Sequence, residues 1–365
     1  MRYEPLVSII TLTYNHENYI AECIESVLCQ TYENWEMVIL DDASTDRTPF
    51  IIEEYAKKDK RIKFIRNEKN MGMYNLDVNY NTALKEAKGE WIGYLEGDDV
   101  FTKRSLEYRI KALNELDSEE IPEIALVHGS AGRIWMDSEI LDIAYNPFSH
   151  YLDVVNNNPV GSALKVFLQG INFIFPGSVL INKTKIDKIG GFKKDIEDAP
   201  YVDYHTWMHL TLEGRFLYLN KITYFWRRHS SSITMNYHED LVKKAIISTE
   251  IFYSKNKDRI DKLNIDLNTD ILKSCLGLQA KLELAKIYTL KRKYKEAKEY
   301  LRQINPRCFE LLPIPRIYRI KYDIVRYANK LRAPFILDLS LKFKRQRYDS
   351  YLGKYKPFFF QELDI

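Results

Sequence analysis

Cysteine is scarce. There are four in 365 residues (Cys23, Cys29, Cys275 and Cys308), scattered and without a Cys-x-x-Cys pair. They support neither a disulfide framework nor a zinc knuckle, so the expectation is unpaired thiols in a reducing compartment. Net charge is nearly lacking too. Lys and Arg total 54 against 51 Asp and Glu, a balance of +3, short of the basic excess of a general nucleic-acid binder. No stretch approaches the roughly 18 to 20 apolar residues that span a bilayer. The opening MRYEPLVSIITLTYN lacks the charged stretch, apolar run and small-residue cleavage site of a signal peptide. A cytoplasmic globular protein is expected.

What is present suffices for a packed core: 45% hydrophobic residues, with 29% charged. The length points to two domains, since single cores stop growing at roughly 250 to 300 residues. Aromatics are plentiful, with 26 Tyr, 17 Phe and 5 Trp, but composition alone does not separate sugar platforms from core.

The first hundred residues alternate strand and helix signals. Val7–Leu12, Trp35–Leu40, Ile62–Arg66 and Trp91–Leu95 read as β-branched or apolar strands. Glu17–Gln30, Thr48–Lys58 and Tyr74–Lys88 read as helices. This order implies βαβ units and a mostly parallel sheet flanked by helices. Ligands of such sheets lie beyond the carboxyl ends of strands, where Asp41-Asp42 and Glu96-Gly97-Asp98-Asp99 fall. Further strands are expected near Ala125–His128, Gly177–Ile181, Phe216–Leu219 and Thr223–Arg227, with a helix at Tyr204–Glu213. From about His238 the pattern turns helical. Leu278–Ile304 resembles one tetratricopeptide helix pair, and a lone pair cannot bury its own face. The expected division is a catalytic domain at 1–238 and a helical region at 239–365. Between Arg307 and Arg347 there are eleven Lys or Arg and three acids, interleaved with aromatic and aliphatic residues. That segment reads either as a solvated helical face or as a dock for an anionic membrane surface.

Two acids one residue apart, Glu96 and Asp98, can aim at one hard cation. Mg²⁺ or Mn²⁺ prefers such oxygens and completes its shell with phosphates. His205 and His209, at i and i+4, lack the intervening Glu of a zinc protease.

Five motifs in order carry a resemblance. Val7–Asn15 is followed by Ile20 and Gln30-Thr31-Tyr32; next comes Trp35–Thr48, containing Asp41-Asp42-Ala43-Ser44-Thr45-Asp46. Asn70-Met71-Gly72, then Asn81 through Gly89-Glu90-Trp91-Ile92, and finally Leu95–Asp99 complete the set. Together they resemble the family 2 glycosyltransferases. A weaker likeness runs through Gly190-Gly191-Phe192 and Trp207 to Arg228-His229 and Ser232, so it covers about residues 5 to 235 and leaves the helical region unexplained.

The resemblance implies a GT-A fold and inverting, metal-dependent transfer of a sugar from a nucleotide diphosphate, with a UDP-sugar favoured. The acceptor would be a hydroxyl of a bacterial surface polysaccharide or a lipid-linked sugar, reached by a cytoplasmic protein peripheral to the inner membrane face. Nucleotide contacts would come from Thr13, Tyr14, Asn15, Asp42, Ser44, Asn70, Gly72, Asn81, Glu96, Gly97 and Arg228. Tyr14 would stack on the base, Asp42 accept from a base N–H, and Asp46 either cap a helix or meet the ligand. Asp98, Asp99 and His229 would hold Mn²⁺ or Mg²⁺, Asp99 also supporting the loop. Glu96 departs from the commoner Asp, which puts direct metal contact from it in doubt. The base is either Asp203, ahead of the Trp207 helix, or Asp198 in the Glu197-Asp198 pair, with Asp203 preferred. Gly170–Val179 falls where the family shapes acceptor pockets. The alternative is a catalytically silent nucleotide-sugar-binding relative acting through its helical tail. A sugar nucleotidyltransferase would want a Gly-rich opening loop, where this chain has Thr11-Leu12-Thr13-Tyr14.

Overall fold

The computed structural model describes residues 3–337, apart from 136–139, 145, 147, 231–236, 264, 266–268 and 313–314. Ser232 and the basic stretch from 338 to 347 therefore lie outside the described residues. Two compact units are formed. The first holds 3–146 and 174–229; the second takes 148–173 from the middle of the chain together with 230–337.

The first unit is built on one nine-stranded sheet. Its strands and helices run β1 (Val7–Thr13), α1 (Ile20–Leu28), β2 (Trp35–Asp41), α2 (Thr48–Lys58), β3 (Ile62–Arg66), α3 (Leu76–Glu86), β4 (Trp91–Tyr94), β5 (Val100–Phe101), α4 (Ser105–Asn114), β6 (Ile124–Trp135) and β7 (Ile140–Ala144). After the second unit's short helices α5 (Leu152–Val155) and α6 (Leu164–Phe167) come β8 (Leu180–Asn182), α7 (Lys183–Lys188), α8 (Asp203–Leu210) and β9 (Arg215–Arg228). The strand order is β3-β2-β1-β4-β8-β6-β9-β5, with β7 on β6. Pairing is parallel from β3 through β4 and again between β6 and β9; β8 is antiparallel to both of its neighbours. Every residue of β1 is buried, and all but Glu36 of β2. Covered parallel strands need apolar side chains on both faces, so these runs are continuous rather than alternating. The two strands expected at 216–219 and 223–227 are one strand, β9. Register shifts against β6 near Ser130 bend it where the sequence pattern breaks.

Helices make up the second unit: α5, α6, α9 (His238–Ile260), α10 (Thr269–Ser274), α11 (Leu278–Leu290), α12 (Tyr294–Arg302), α13 (Cys308–Leu311) and α14 (Arg316–Lys330). Helices α11 and α12 fall within Leu278–Ile304, and their outer face is closed by α14. Tyr322, Val325 and Ala328 of α14 pack with Leu278, Leu282, Ala285 and Leu301. One sequence expectation is overturned here. Cys275 and Cys308 form a disulfide with Cα atoms 5.9 Å apart. The separation of 33 positions hid the pairing, because only the folding of α11 to α13 returns the chain to Cys275.

Two local features yield stability predictions. Gly191 has φ +91°, and a Cβ there would stand 2.1 Å from Asn81 Oδ1; Gly190, at φ +83°, meets only the tip of Lys193. Gly191→Ala should thus cost about 2–4 kcal/mol, from positive φ plus overpacking, against about 1 kcal/mol for Gly190→Ala, read by urea unfolding. In the second unit, Glu283 sits 2.9 Å from Lys286 Nζ, in contact with Lys321, and 3.6 Å from His238. Burial opposes its ionisation, but His238 and the two ammonium groups outweigh it and hold the carboxyl far below the usual range. A depressed carboxyl stabilises the fold above its ordinary titration near pH 4 and loses that contribution as the medium acidifies further. Glu283→Gln should lower stability by about 1–3 kcal/mol at pH 7. The gap from the parent, followed by thermal melts, should close progressively below about pH 4.

Candidate active site

Two loops at the carboxyl ends of β1, β2 and β4 build the site. The first is the turn after β2. Asp41 is fully buried and accepts the Ser44 N–H at 3.1 Å and the Ser44 hydroxyl proton, while Arg66 Nε reaches it at 3.2 Å. Ala43 is thereby held at φ +59°. Ser44 Oγ accepts the Asn15 N–H at 2.8 Å, and Asn15 Oδ1 accepts the Thr45 N–H at 2.8 Å. Asn15 itself has φ +54°, a conformation Asn tolerates better than most residues. These bonds lock the Thr13–Asn15 loop to the Asp41–Asp46 turn. Asp46 accepts from Thr48 N–H at 2.9 Å and Glu17 N–H at 3.0 Å, so it fastens the turn that leads into α2. Tyr14 stands 43% exposed on this rim, open to a stacked ring.

Asp42 is committed to its own chain. Its carboxylate accepts Asn67 Nδ2 at 2.6 Å, Met71 N–H at 2.9 Å and Gly72 N–H at 3.2 Å, and Asn70 Nδ2 donates to its carbonyl at 3.0 Å. Contact with a base N–H would have to share or displace one of these donors. Asn81 is likewise turned away from the expected nucleotide role. Its amide accepts the Phe192 N–H at 2.8 Å and donates to the Phe192 carbonyl at 3.0 Å, pinning the Gly190-Gly191 turn to α3.

The second loop carries the acids. Gly97 N–H bonds to Leu12 O at 2.9 Å, and a Cβ on Gly97 would stand 2.8 Å from Thr13 and 3.0 Å from His16 Nδ1. Only glycine lets the loop cross so near β1. Thr13 Oγ1 and His16 Nδ1 are buried there without a hydrogen-bond partner among the described residues. Arg227, at the end of β9, clamps the loop. Its Nε donates to Asp98 O at 2.6 Å, its N–H to Asp99 Oδ1 at 2.8 Å, and its guanidinium pairs with Glu22 and lies over the Tyr19 ring.

Asp98 Oδ2 meets His229 Nε2 at 2.9 Å, and His229 rests against Tyr19 with ring centroids 4.9 Å apart. Burial alone would raise the Asp98 carboxyl, but the His229 bond and the nearby His16 imidazole outweigh it and keep it below its usual range. Asp99 goes the other way, pushed well up by burial and by the Asp98 charge. Glu96 bonds to the phenols of Tyr80 and, at 2.8 Å, Tyr94. Burial, with the Asp98 charge adding, lifts it to about 7 against those bonds. The three neighbouring acids are thus pushed in different directions, Asp98 down and Glu96 and Asp99 up, a separation typical of sites that assign different roles to adjacent carboxylates.

Among the described residues no group of three or more His, Cys, Asp or Glu side chains is arranged to hold a metal ion. Asp98 and His229 suit an ion that takes two side-chain ligands and fills its shell with diphosphate oxygens and water; they do not suit a protein-only cage. Asp99, turned onto the Arg227 amide, serves the loop. Arg228 lies over the Trp226 ring at 5.0 Å.

The two base candidates separate. Asp203 is the first residue of α8, and its charge is felt at Glu96, Tyr94 and Tyr224. Asp198 is exposed. The segment ahead of α8 is fastened to it: Lys193 N–H donates to Thr206 Oγ1 at 2.9 Å, Asp195 N–H to His205 Nδ1 at 2.9 Å, and the Asp195 carboxylate meets His209 at 3.0 Å. Sequence reasoning missed His16, Glu22, Tyr80, Tyr94 and the clamp by Arg227. Only His16, one residue past the Tyr14-Asn15 loop, had a positional signal.

Residues 8–187 match the family model "Glycosyl transferase family 2". The putative teichuronic acid biosynthesis glycosyltransferase TuaG of Bacillus subtilis is 41% identical over 113 residues, 31% of this chain and 44% of that protein. The Escherichia coli UDP-Glc:alpha-D-GlcNAc-diphosphoundecaprenol beta-1,3-glucosyltransferase WfgD is 44% identical over 108 residues, covering 30% and 41%. The chain thus spans less than half the length of these two relatives. An uncharacterized glycosyltransferase of Haemophilus influenzae is 27% identical over 341 residues, covering 82% of this chain and 98% of that one. Staphylococcus aureus TarS 1-349, solved in complex with UDP-GlcNAc, superposes with a TM-score of 0.59 at 17% identity, over 92% of this chain and 91% of its own. It shares the GT-A fold, a mixed sheet flanked by helices. The chain thus carries a glycosyl transferase family 2 domain over residues 8–187, which includes the strand-end acids.

Proposed function

We propose that the protein transfers a sugar from a uridine diphosphate donor to a hydroxyl of a glycan or lipid-linked acceptor, with inversion, in building a bacterial surface polysaccharide on the cytoplasmic side. The observation that carries this reading is Asp98, 2.9 Å from His229 where parallel strands end, with Asp203 at the start of α8. The preference for uridine rests on the UDP-GlcNAc bound to TarS and the UDP-Glc in the name of WfgD, because Asp42 is engaged internally.

The donor nucleotide would lie over the Thr13–Asn15 loop and the Asp42–Ser44 turn, with Tyr14 against the base and the diphosphate toward Asp98, His229 and Arg228. When bound there, Mn²⁺ or Mg²⁺ would neutralise charge on the diphosphate as it leaves. Asp203 accepts the proton of the acceptor hydroxyl as its oxygen bonds to the anomeric carbon, and the bond from that carbon to the diphosphate breaks on the opposite face. Glu96, held by two phenols, shapes the floor between these groups.

A screen of nucleotide sugars with either metal, scoring nucleoside diphosphate release, tests the class. UDP-sugars should turn over and GDP- or CDP-sugars should not. Asp98→Ala should lower turnover by about 10²–10³-fold and remove the metal dependence of UDP binding. Asp203→Asn should leave UDP affinity unchanged and cut kcat by about 10²–10⁴-fold, whereas Asp198→Asn stays near the parent. An active Asp203→Asn beside a dead Asp198→Asn would reverse the base assignment.

A further inference from the structure

Helix α14 buries one face and presents a second apolar face outward. Tyr322, Val325, Ala328 and Asn329 are buried. Adjoining that face on the solvent side, Ile317 is 50% exposed, Ile320 52%, Tyr327 51% and Leu331 64%. The steps between them, with half-buried Ile324 in the middle, are three, four, three and four residues, which keeps all five within one stripe of a helix turning 100° per residue. At about 1.5 Å per residue the stripe runs roughly 21 Å, and Phe335, 61% exposed, follows just past its end.

The polar residues are arranged around this stripe. By helical position Arg316, Arg319, Arg326 and Lys330 lie along one edge together with Asp323, the one acid in this stretch, and Lys321 lies along the other; Arg332 follows just past the helix at φ +53°. Arg319 is paired with Asp323 at 3.4 Å, and Lys321 is drawn inward to Glu283. Arg316, Arg326, Lys330 and Arg332 are exposed. A helix needing only to stay soluble would not gather its exposed aliphatic side chains beside a row of cations. An apolar strip bordered by Lys and Arg matches the boundary between acyl chains and anionic headgroups.

We infer that α14 lies in the plane of an anionic membrane surface, its Ile317–Leu331 stripe entering the headgroup region and the flanking cations contacting lipid phosphates. Among the described residues no helix is long and apolar enough to cross a membrane, so this contact would be interfacial. The inference stands independently of the donor and acceptor assigned above, because vesicles report it without turnover.

The test is flotation of the full chain with phosphatidylglycerol-containing vesicles and with pure phosphatidylcholine vesicles. The parent should bind the anionic vesicles at least about tenfold better, and raised salt should weaken that binding. Ile320→Glu with Tyr327→Glu should lose binding about tenfold or more while keeping the parental circular dichroism and melting temperature. Arg326→Gln, Lys330→Gln and Arg332→Gln together should erase the preference for anionic lipid. Failure of the parent to float, or equal flotation of parent and stripe variant, would overturn the inference. So would a parent that light scattering finds dimeric, a stripe variant found monomeric, and no vesicle binding by either; the stripe would then be an interface between copies.

Discussion

The candidate site depends on one clamp. Arg227, at the end of β9, donates its backbone N–H to the Asp99 side chain and its Nε to the Asp98 carbonyl, and its guanidinium pairs with Glu22 near the start of α1. A flexible acid-rich loop would spread three carboxylates into water, where all would ionise. Held against the sheet, they meet different partners, and their tendencies to ionise diverge. The same peptide brings His229, two residues further along, to the Asp98 carboxylate. Chemistry at this place is therefore set as much by the last strand of the unit as by the loop that supplies the acids.

Much of this was legible in the sequence, for identifiable reasons. β1 and β2 announce themselves because a parallel strand covered on both faces is mostly apolar or β-branched, and α2 was bounded to the residue by Thr48 and Lys58. The acids at strand ends follow from the architecture. Less legible was what each polar group does once the chain closes. Asp42 and Asn81 look like ligand-binding groups in one dimension; in three, each satisfies backbone N–H groups from distant segments, a demand that a sequence does not display. The Tyr80 and Tyr94 phenols were invisible as partners of Glu96, because one is on a helix and the other on a strand. Their presence gives a physical reason for the longer acid at this position: an extra methylene lets it reach two hydroxyls.

The helical unit presented the opposite problem. Its helix pair was plain from periodicity, but the pattern of a lone pair cannot say what covers it. Tyr322, Val325 and Ala328 of α14 do so, and that same helix carries a second, outward pattern superimposed on the first. In the linear sequence the two stripes merge into a mixture of aromatic, aliphatic and basic residues that reads as neither. The disulfide between Cys275 and Cys308 escaped for a related reason: proximity made by helix reversal leaves no local trace.

Asn81 holds the Gly190-Gly191 turn at one end, and Thr206, His205 and His209 stitch Lys193 and Asp195 to α8 at the other. The short arc leading to Asp203 is therefore moored at both banks, like a footbridge. Where that carboxylate comes to rest is inherited from the seating of α3 and α8, so packing changes beneath either helix would misplace it without touching a single group that meets a substrate.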